Sequence, residues 1–215
     1  VDTSTGALTT IRTESDEHWI DLVAGSPTLL EDGRLAMCCE RNGVRALTVG
    51  DQVVTNSETQ VRNIIATTST AIYFAANPIA DPTVLHVMRC ALSDLAVSSL
   101  TDKPGIFTAS VGGDTVVIRS ATLNEKRTIT QVNGAHQITN NAETSLVTPN
   151  VTLHRVGPNK IATAIVIPHD HDGSSLPILF DPYGGPHAQR VVSASGAYFA
   201  SQWFANQGFC VVIAD

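Results

Sequence analysis

Residues 176–186, LPILFDPYGGP, mark the point at which the pattern of the sequence changes. The apolar first half of this stretch predicts a strand buried on both faces, as in parallel sheets. A helix is predicted over residues 193–207, where apolar residues recur at three- and four-residue spacing before Gly208. A second apolar strand, FCVVIAD, follows at residues 209–215. This order predicts the beginning of a doubly wound α/β sheet, within a domain that covers residues 146–215.

Three similar units precede this region and predict an antiparallel β domain over residues 1–145. They cover residues 26–55, 61–93 and 105–132, and each has short β-branched runs separated by turns rich in Gly and Asn. Their second strands recur at about 40 residues, which is the period of β-propeller blades. The alternative is a β-sandwich, which three meanders could also build. The predicted fold class is therefore mixed β and α/β: a partial β-propeller of antiparallel four-stranded blades, followed by an α/β unit.

The composition argues against several classes of function. The formal net charge is −7 and the 13 Lys and Arg residues are scattered, so no nucleic-acid surface is expected. No apolar run approaches the ~20 residues that cross a bilayer, and no membrane span is expected in this segment. The four cysteines lie in apolar runs without metal-ligand spacing, which favours buried thiols and a reducing, cytoplasmic location. No cofactor is expected.

Two loops that contain histidine have alternative interpretations. Residues 168–173, PHDHDG, could hold a divalent ion, because imidazole and carboxylate are common ligands. No distant third ligand is indicated, so a solvated turn is the simpler interpretation and no metal site is predicted. His187 could pass for a catalytic base, but a base needs a nucleophile beside it and an acid that orients it. It is therefore interpreted as a loop residue near the mouth of a site.

Tyr183 is the candidate site residue. In open α/β sheets the reacting groups lie at the carboxyl ends of strands, and Tyr183 follows such an end. The sequence Gly184-Gly185-Pro186 lets the backbone turn sharply and leaves the hydroxyl of Tyr183 free to meet a ligand. A phenol held there can donate a hydrogen bond to a developing oxyanion. The alternative is a strand-end aromatic residue that only packs, with its hydroxyl in water.

The order of these features resembles the prolyl oligopeptidase family of serine peptidases, and most of all its dipeptidyl peptidase IV branch. The resemblance is specific over residues 160–215, which include LPILFDPYGGP and VVIAD, and only architectural over residues 1–150. It implies a β-propeller joined to an α/β-hydrolase domain, a peptide substrate and cleavage that is often after proline. It also implies that Tyr183 forms half of the oxyanion hole and that Asp215 precedes the family's Gly-Arg-Gly turn. A homo-oligomer of the parent enzyme stays open.

Other parts of such an enzyme are missing from the sequence. It contains no G-x-S-x-G nucleophile elbow, and in α/β-hydrolases the Ser, Asp and His of the triad follow the oxyanion-hole strand. The triad is therefore expected beyond residue 215, and the chain is expected to be an internal fragment that is inactive alone. Asp16-Glu17 does not correspond in position to the glutamates that hold a substrate amino terminus in this family. The rival hypothesis is a non-enzymatic propeller with a protein-binding face, which leaves residues 151–215 without a purpose.

Overall fold

The structure of the chain, a computed structural model, describes residues 1–185 and 188–215. Within these residues there are four sheets of four strands each, and the first three are built from strands that are consecutive in the sequence. The first sheet comprises β1 (Thr28–Leu29), β2 (Leu35–Arg41), β3 (Val44–Val49) and β4 (Gln52–Val53). The second comprises β5 (Thr59–Thr67), β6 (Ala71–Pro78), β7 (His86–Ala91) and β8 (Val97–Ser99). The third comprises β9 (Ile106–Gly112), β10 (Thr115–Ala121), β11 (Ile129–Val132) and β12 (His136–Ile138).

All pairs in these three sheets are antiparallel. The local strand order is that of propeller blades, and it differs from the β-sandwich alternative, in which Greek-key connections exchange strands between sheets.

The hairpin between β2 and β3 shows how the sequence builds a blade. Arg41 pairs with Val44, so the loop consists of Asn42 and Gly43 alone. Their φ angles are 55° and 76°, as a type I′ turn requires. Asn and Gly enter this region at lower cost than other residues. The turn predicted here is confirmed.

The core of the blade region lies between the first two sheets. Leu47 of β3, Val61 of β5 and Phe74 of β6 are fully buried in it. In β6 every residue from Ala71 to Asn77 is buried, on both faces of the strand. The second sheet contacts the first through β3 and β5 and the third through β9, so it has a neighbour on each side. Because neighbouring blades cover both faces of the second sheet, β6 is stable there without alternating apolar and polar residues.

The fourth sheet is mixed and carries the helix. It comprises β13 (Val151–Val156), β14 (Ile161–Val166), β15 (Ile178–Pro182) and β16 (Cys210–Ala214), in the spatial order β13-β14-β16-β15. The strands β15 and β16 are parallel, and the connection between them contains a 3₁₀ turn (Ser195–Tyr198) and helix α1 (Phe199–Ala205). The helix covers one face, where Tyr198, Val166 and Ile213 are buried together. The predicted strand-helix-strand unit is confirmed.

Two details of this unit differ from the prediction. Strand β15 is not buried on both faces, because it lies at the edge of the sheet: Ile178 is 69% and Phe180 is 60% exposed, and only Leu179 packs under the helix. The α-helix is also shorter than residues 193–207. The backbone amide of Ser193 donates to the carbonyl of Thr83 at 2.7 Å, so a tertiary contact holds the chain there in a non-helical path.

The described residues contain no helix that is both long enough and apolar enough to cross a membrane.

Candidate active site

Tyr183 lies immediately after β15, at the carboxyl end of the parallel pair. Its backbone amide donates a hydrogen bond to the carbonyl of Ala214 at 3.2 Å, which extends the pairing of β15 with β16 by one residue. The side chain is half-buried. Its hydroxyl lies 2.5 Å from the position that a Cβ atom would take on Gly185, so the ring folds back over this glycine. Gly185 therefore leaves the space in which the phenol lies.

Two charged residues join the ends of the turn that follows Tyr183. The guanidinium of Arg190 donates two hydrogen bonds to the carboxylate of Asp181, at 2.7 and 2.5 Å. These hydrogen bonds hold the pKa of Asp181 below its usual value and raise the pKa of Arg190. Paired hydrogen bonds of this kind set the mutual orientation of the two groups as well as their distance. The pair therefore ties residue 181 of the strand to residue 190 of the returning chain.

Asp215, which follows the neighbouring strand β16, binds the backbone of the segment that follows the Tyr183 turn. Its carboxylate accepts the backbone amide of Arg190 at 3.0 Å to each oxygen, and the amide of Val191 at 2.7 Å. The Asp215 backbone is itself held, because its amide donates to the carbonyl of Ala162 at 3.2 Å. Hydrogen bonds from amides to an ionised carboxylate are among the stronger ones in proteins. Asp215 thus connects the end of β16 to the segment after the Tyr183 turn.

The segment after the turn also contacts the second blade. The side-chain amide of Gln189 donates to the carbonyl of Pro82 at 2.5 Å, and its oxygen accepts a hydrogen bond from Arg62 at 3.4 Å. The hydroxyls of Ser193 and Thr83 are 3.1 Å apart, beside the backbone hydrogen bond between these two residues. Tyr183 is therefore placed at the junction of the blades and the mixed sheet, rather than on a free loop.

Tyr198 has a structural position that contrasts with that of Tyr183. It is 1% exposed, and its hydroxyl both accepts the amide of Val192 at 2.9 Å and donates to the carbonyl of Val192 at 2.8 Å. Burial raises the pKa of Tyr198 to about 12. A phenol that is buried and has both partners within the protein stabilises the fold and is not available to a ligand. Of these two tyrosines, only Tyr183 reaches the surface.

The histidine loop at residues 168–173 lies within the described part of the chain. His169 contacts the carbonyl of Thr148 at 2.7 Å, and residues 1–185 and 188–215 contain no cluster of potential metal ligands. Two of the serines that follow Tyr183 in the sequence have structural partners. Ser193 bonds to Thr83, and the Ser195 hydroxyl donates to the carbonyl of Glu125 at 2.7 Å. His187 lies outside the described residues.

Asp181, Gln189 and Arg190 are not identified by any motif in the sequence. The only signal is an acidic and a basic residue on either side of a turn that contains two glycines and a proline. Opposite charges at this spacing are common on solvated surfaces, so the pattern alone does not predict a contact. The contact between Asp181 and Arg190 follows from the tertiary structure.

Comparison with known proteins found similarity to solved structures. No protein-family model and no curated protein matches the chain. The crystal structure of Porphyromonas gingivalis dipeptidyl peptidase 4 is similar, with a TM-score of 0.71 over 88% of this chain and a sequence identity of 16%. The chain spans 30% of the length of that protein. This likeness shows the fold: the chain has the architecture of part of a dipeptidyl peptidase 4-like β-propeller protein, and the predicted partial propeller is confirmed.

Proposed function

We propose that the chain is a part of a serine peptidase that hydrolyses peptide bonds after proline by way of an acyl-enzyme. In this proposal residues 1–145 are the last blades of the propeller, and residues 146–215 begin an α/β-hydrolase domain. The likeness to a dipeptidyl peptidase 4 supports the architecture. The site supports the chemistry, because a tyrosine hydroxyl lies at the carboxyl end of a parallel strand pair, where α/β sheets bind their ligands.

Tyr183 is the residue of this chain that takes part in the reaction. A serine oxygen attacks the carbonyl carbon of the substrate, and the carbonyl oxygen then carries the negative charge of the tetrahedral intermediate. The Tyr183 hydroxyl donates a hydrogen bond to this oxygen and so lowers the barrier. The serine, histidine and acid are supplied by sequence outside the 215 residues, since no G-x-S-x-G motif occurs within them. The reaction requires no cofactor.

The observation that carries the proposal is the contrast between two tyrosines that are 15 residues apart in the sequence. Tyr198 is buried with its hydroxyl bonded to the backbone on both sides, as a structural tyrosine should be. Tyr183 is half-buried beside two glycines, in a turn held by Asp181 and Arg190. A hydroxyl used only for packing would not need a turn anchored in this way.

The test is Tyr183→Phe in the full-length enzyme, which removes the hydroxyl and keeps the ring. We expect kcat to fall by roughly 10²-fold or more, or about 2.7 kcal/mol, with KM and Tm little changed, because the hydrogen bond is made mainly in the transition state. Tyr73→Phe, on β6 of the second blade, is the matched control and should leave kcat unchanged. A kcat for Tyr183→Phe within a few-fold of wild type would reject the donor role.

The remainder of the gene distinguishes this proposal from a non-enzymatic propeller. A G-x-S-x-G motif within roughly 100 residues after Asp215 supports a peptidase, and its absence supports a binding module.

A further inference from the structure

Asp181, Arg190 and Asp215 hold the turn that carries Tyr183. Asp181 lies two residues before Tyr183 and Arg190 lies seven residues after it, and their side chains form the paired hydrogen bonds of 2.7 and 2.5 Å. Asp215 accepts the backbone amides of Arg190 and Val191 at 2.7 to 3.0 Å. The two ends of the turn are therefore joined through the side chains of Asp181 and Arg190, and the returning end is also held to the end of β16 by the Asp215 carboxylate.

The ion pair is too exposed to contribute much to global stability. The side chains of Arg190 and Asp181 are 36% and 42% exposed, and ion pairs at such positions have little effect on the free energy of unfolding. Their planar groups nevertheless fix a distance and an angle, which a single Lys–carboxylate contact would not do. The effect of the pair is therefore expected in local geometry.

We propose that Arg190, bonded to Asp181 and Asp215, is a positioning residue that holds the Tyr183 hydroxyl in the orientation needed to donate to the substrate oxygen. The proposal rests on the function proposed above for Tyr183. Arg190 acts through the turn and needs no contact with substrate. Displacement of a catalytic group by about 1 Å can cost up to ~10²-fold in rate, so a loosened turn lowers kcat even when every catalytic atom is present.

The experiment is a double-mutant cycle in the full-length enzyme, with Arg190→Met, Tyr183→Phe and the combination. We expect Arg190→Met to lower kcat by about tenfold, with a smaller change in KM and no large change in Tm. In the Tyr183→Phe background the same substitution should cost nothing further, because the hydroxyl that it positions is already absent. Asp181→Asn should act in the same direction, and Arg190→Lys should retain part of the rate because it keeps the charge but not the fork.

The outcomes separate the two proposals. If Tyr183→Phe lowers kcat but Arg190→Met does not, or if their losses multiply in the double variant, the positioning role is wrong and the donor role of Tyr183 stands. If Tyr183→Phe leaves kcat unchanged, the function proposed for Tyr183 fails and the positioning role fails with it.

A second readout does not depend on catalysis. Hydrogen exchange of the full-length enzyme should become faster at the amides of Arg190 and Val191 in Arg190→Met, while the blade strands keep their protection. Unchanged exchange at these two amides would contradict the proposal that Arg190 holds the turn in place.

Discussion

The hydroxyl of Tyr183 occupies space that a side chain on Gly185 would need. A Cβ atom on Gly185 would lie 2.5 Å from this hydroxyl and 2.7 Å from the adjoining ring carbon, closer than non-bonded atoms approach. A side chain on Gly185 would therefore require the phenol to shift. The glycine is therefore a condition for the observed orientation of the tyrosine.

We expect Gly185→Ala to lower kcat of the full-length enzyme by about tenfold or more, because the phenol must move away from the position of the oxyanion. Gly184→Ala is the matched control, since a Cβ atom there meets nothing within 4 Å. Steady-state kinetics of the two variants provide the measurement. Equal kcat values for both would show that the ring is free to rearrange without loss.

We expect the 215-residue chain alone to show no peptidase turnover. An oxyanion donor has nothing to stabilise when no activated nucleophile forms the intermediate, and no G-x-S-x-G elbow occurs in the sequence. A chromogenic Gly-Pro substrate tests this with highly purified protein. Turnover above a contaminant control that a serine-directed phosphonate blocks would place the nucleophile within the chain.

Gly25→Ala should destabilise the first two blades. Gly25 has a φ of 76°, and a Cβ atom on it would overlap the backbone carbonyl of Ile64, next to the hydrogen bond from the Ile64 amide to Ala24. We expect a loss of about 2–4 kcal/mol in the free energy of unfolding, measured with urea.

Gly33→Ala is the control that measures the cost of the left-handed backbone conformation without a steric overlap. Gly33 has a φ of 84° but open space around it, so a loss of only about 1–2 kcal/mol is expected. A Gly25 variant as stable as the Gly33 variant would show that the two blades can separate at this point at little cost.

Glu14 should make the stability of the first blade depend on pH in the acidic range. Hydrogen bonds from Arg41, at 3.0 and 3.1 Å, and from Arg12, at 2.8 Å, lower the pKa of Glu14 to about 2. Because the folded-state pKa lies below the unfolded value, the contribution is present above about pH 4.5 and is lost as the pH falls towards 2.

The corresponding variant is Glu14→Gln. We expect the wild type to exceed it in stability by about 1 kcal/mol at pH 6, since the pair is partly exposed, and the difference to vanish near pH 2. Thermal unfolding of both proteins across this range is the measurement. A difference that is constant with pH would contradict the assignment to this carboxylate.

The blades could be predicted from the sequence because each of their strands pairs with strands that are next to it in the sequence. Asn42 and Gly43 adopt the left-handed region that a two-residue hairpin needs, and the β-branched runs around them can pair only with their neighbours in sequence. Such pairs form from residues a few positions apart, so the pattern of turns predicts both the strands and their order. Tyr183 at a strand end was predictable for the same reason, since the run from Ile178 and the glycines after it are contiguous.

The surroundings of Tyr183 were decided by contacts between distant residues. The burial of β15 was predicted wrongly because an apolar run does not reveal whether its strand is central or at an edge, and here only one face is covered. The helix began later than predicted because Thr83, 110 residues away, holds Ser193 in another conformation. Asp181, Arg190 and Asp215 meet only when β16 lies beside β15. Sequence alone thus determined the strands, the helix and the candidate residue Tyr183. Tertiary structure determined the hydrogen bonds among Asp181, Arg190 and Asp215, because long-range hydrogen bonds depend on where the folded backbone places their partners.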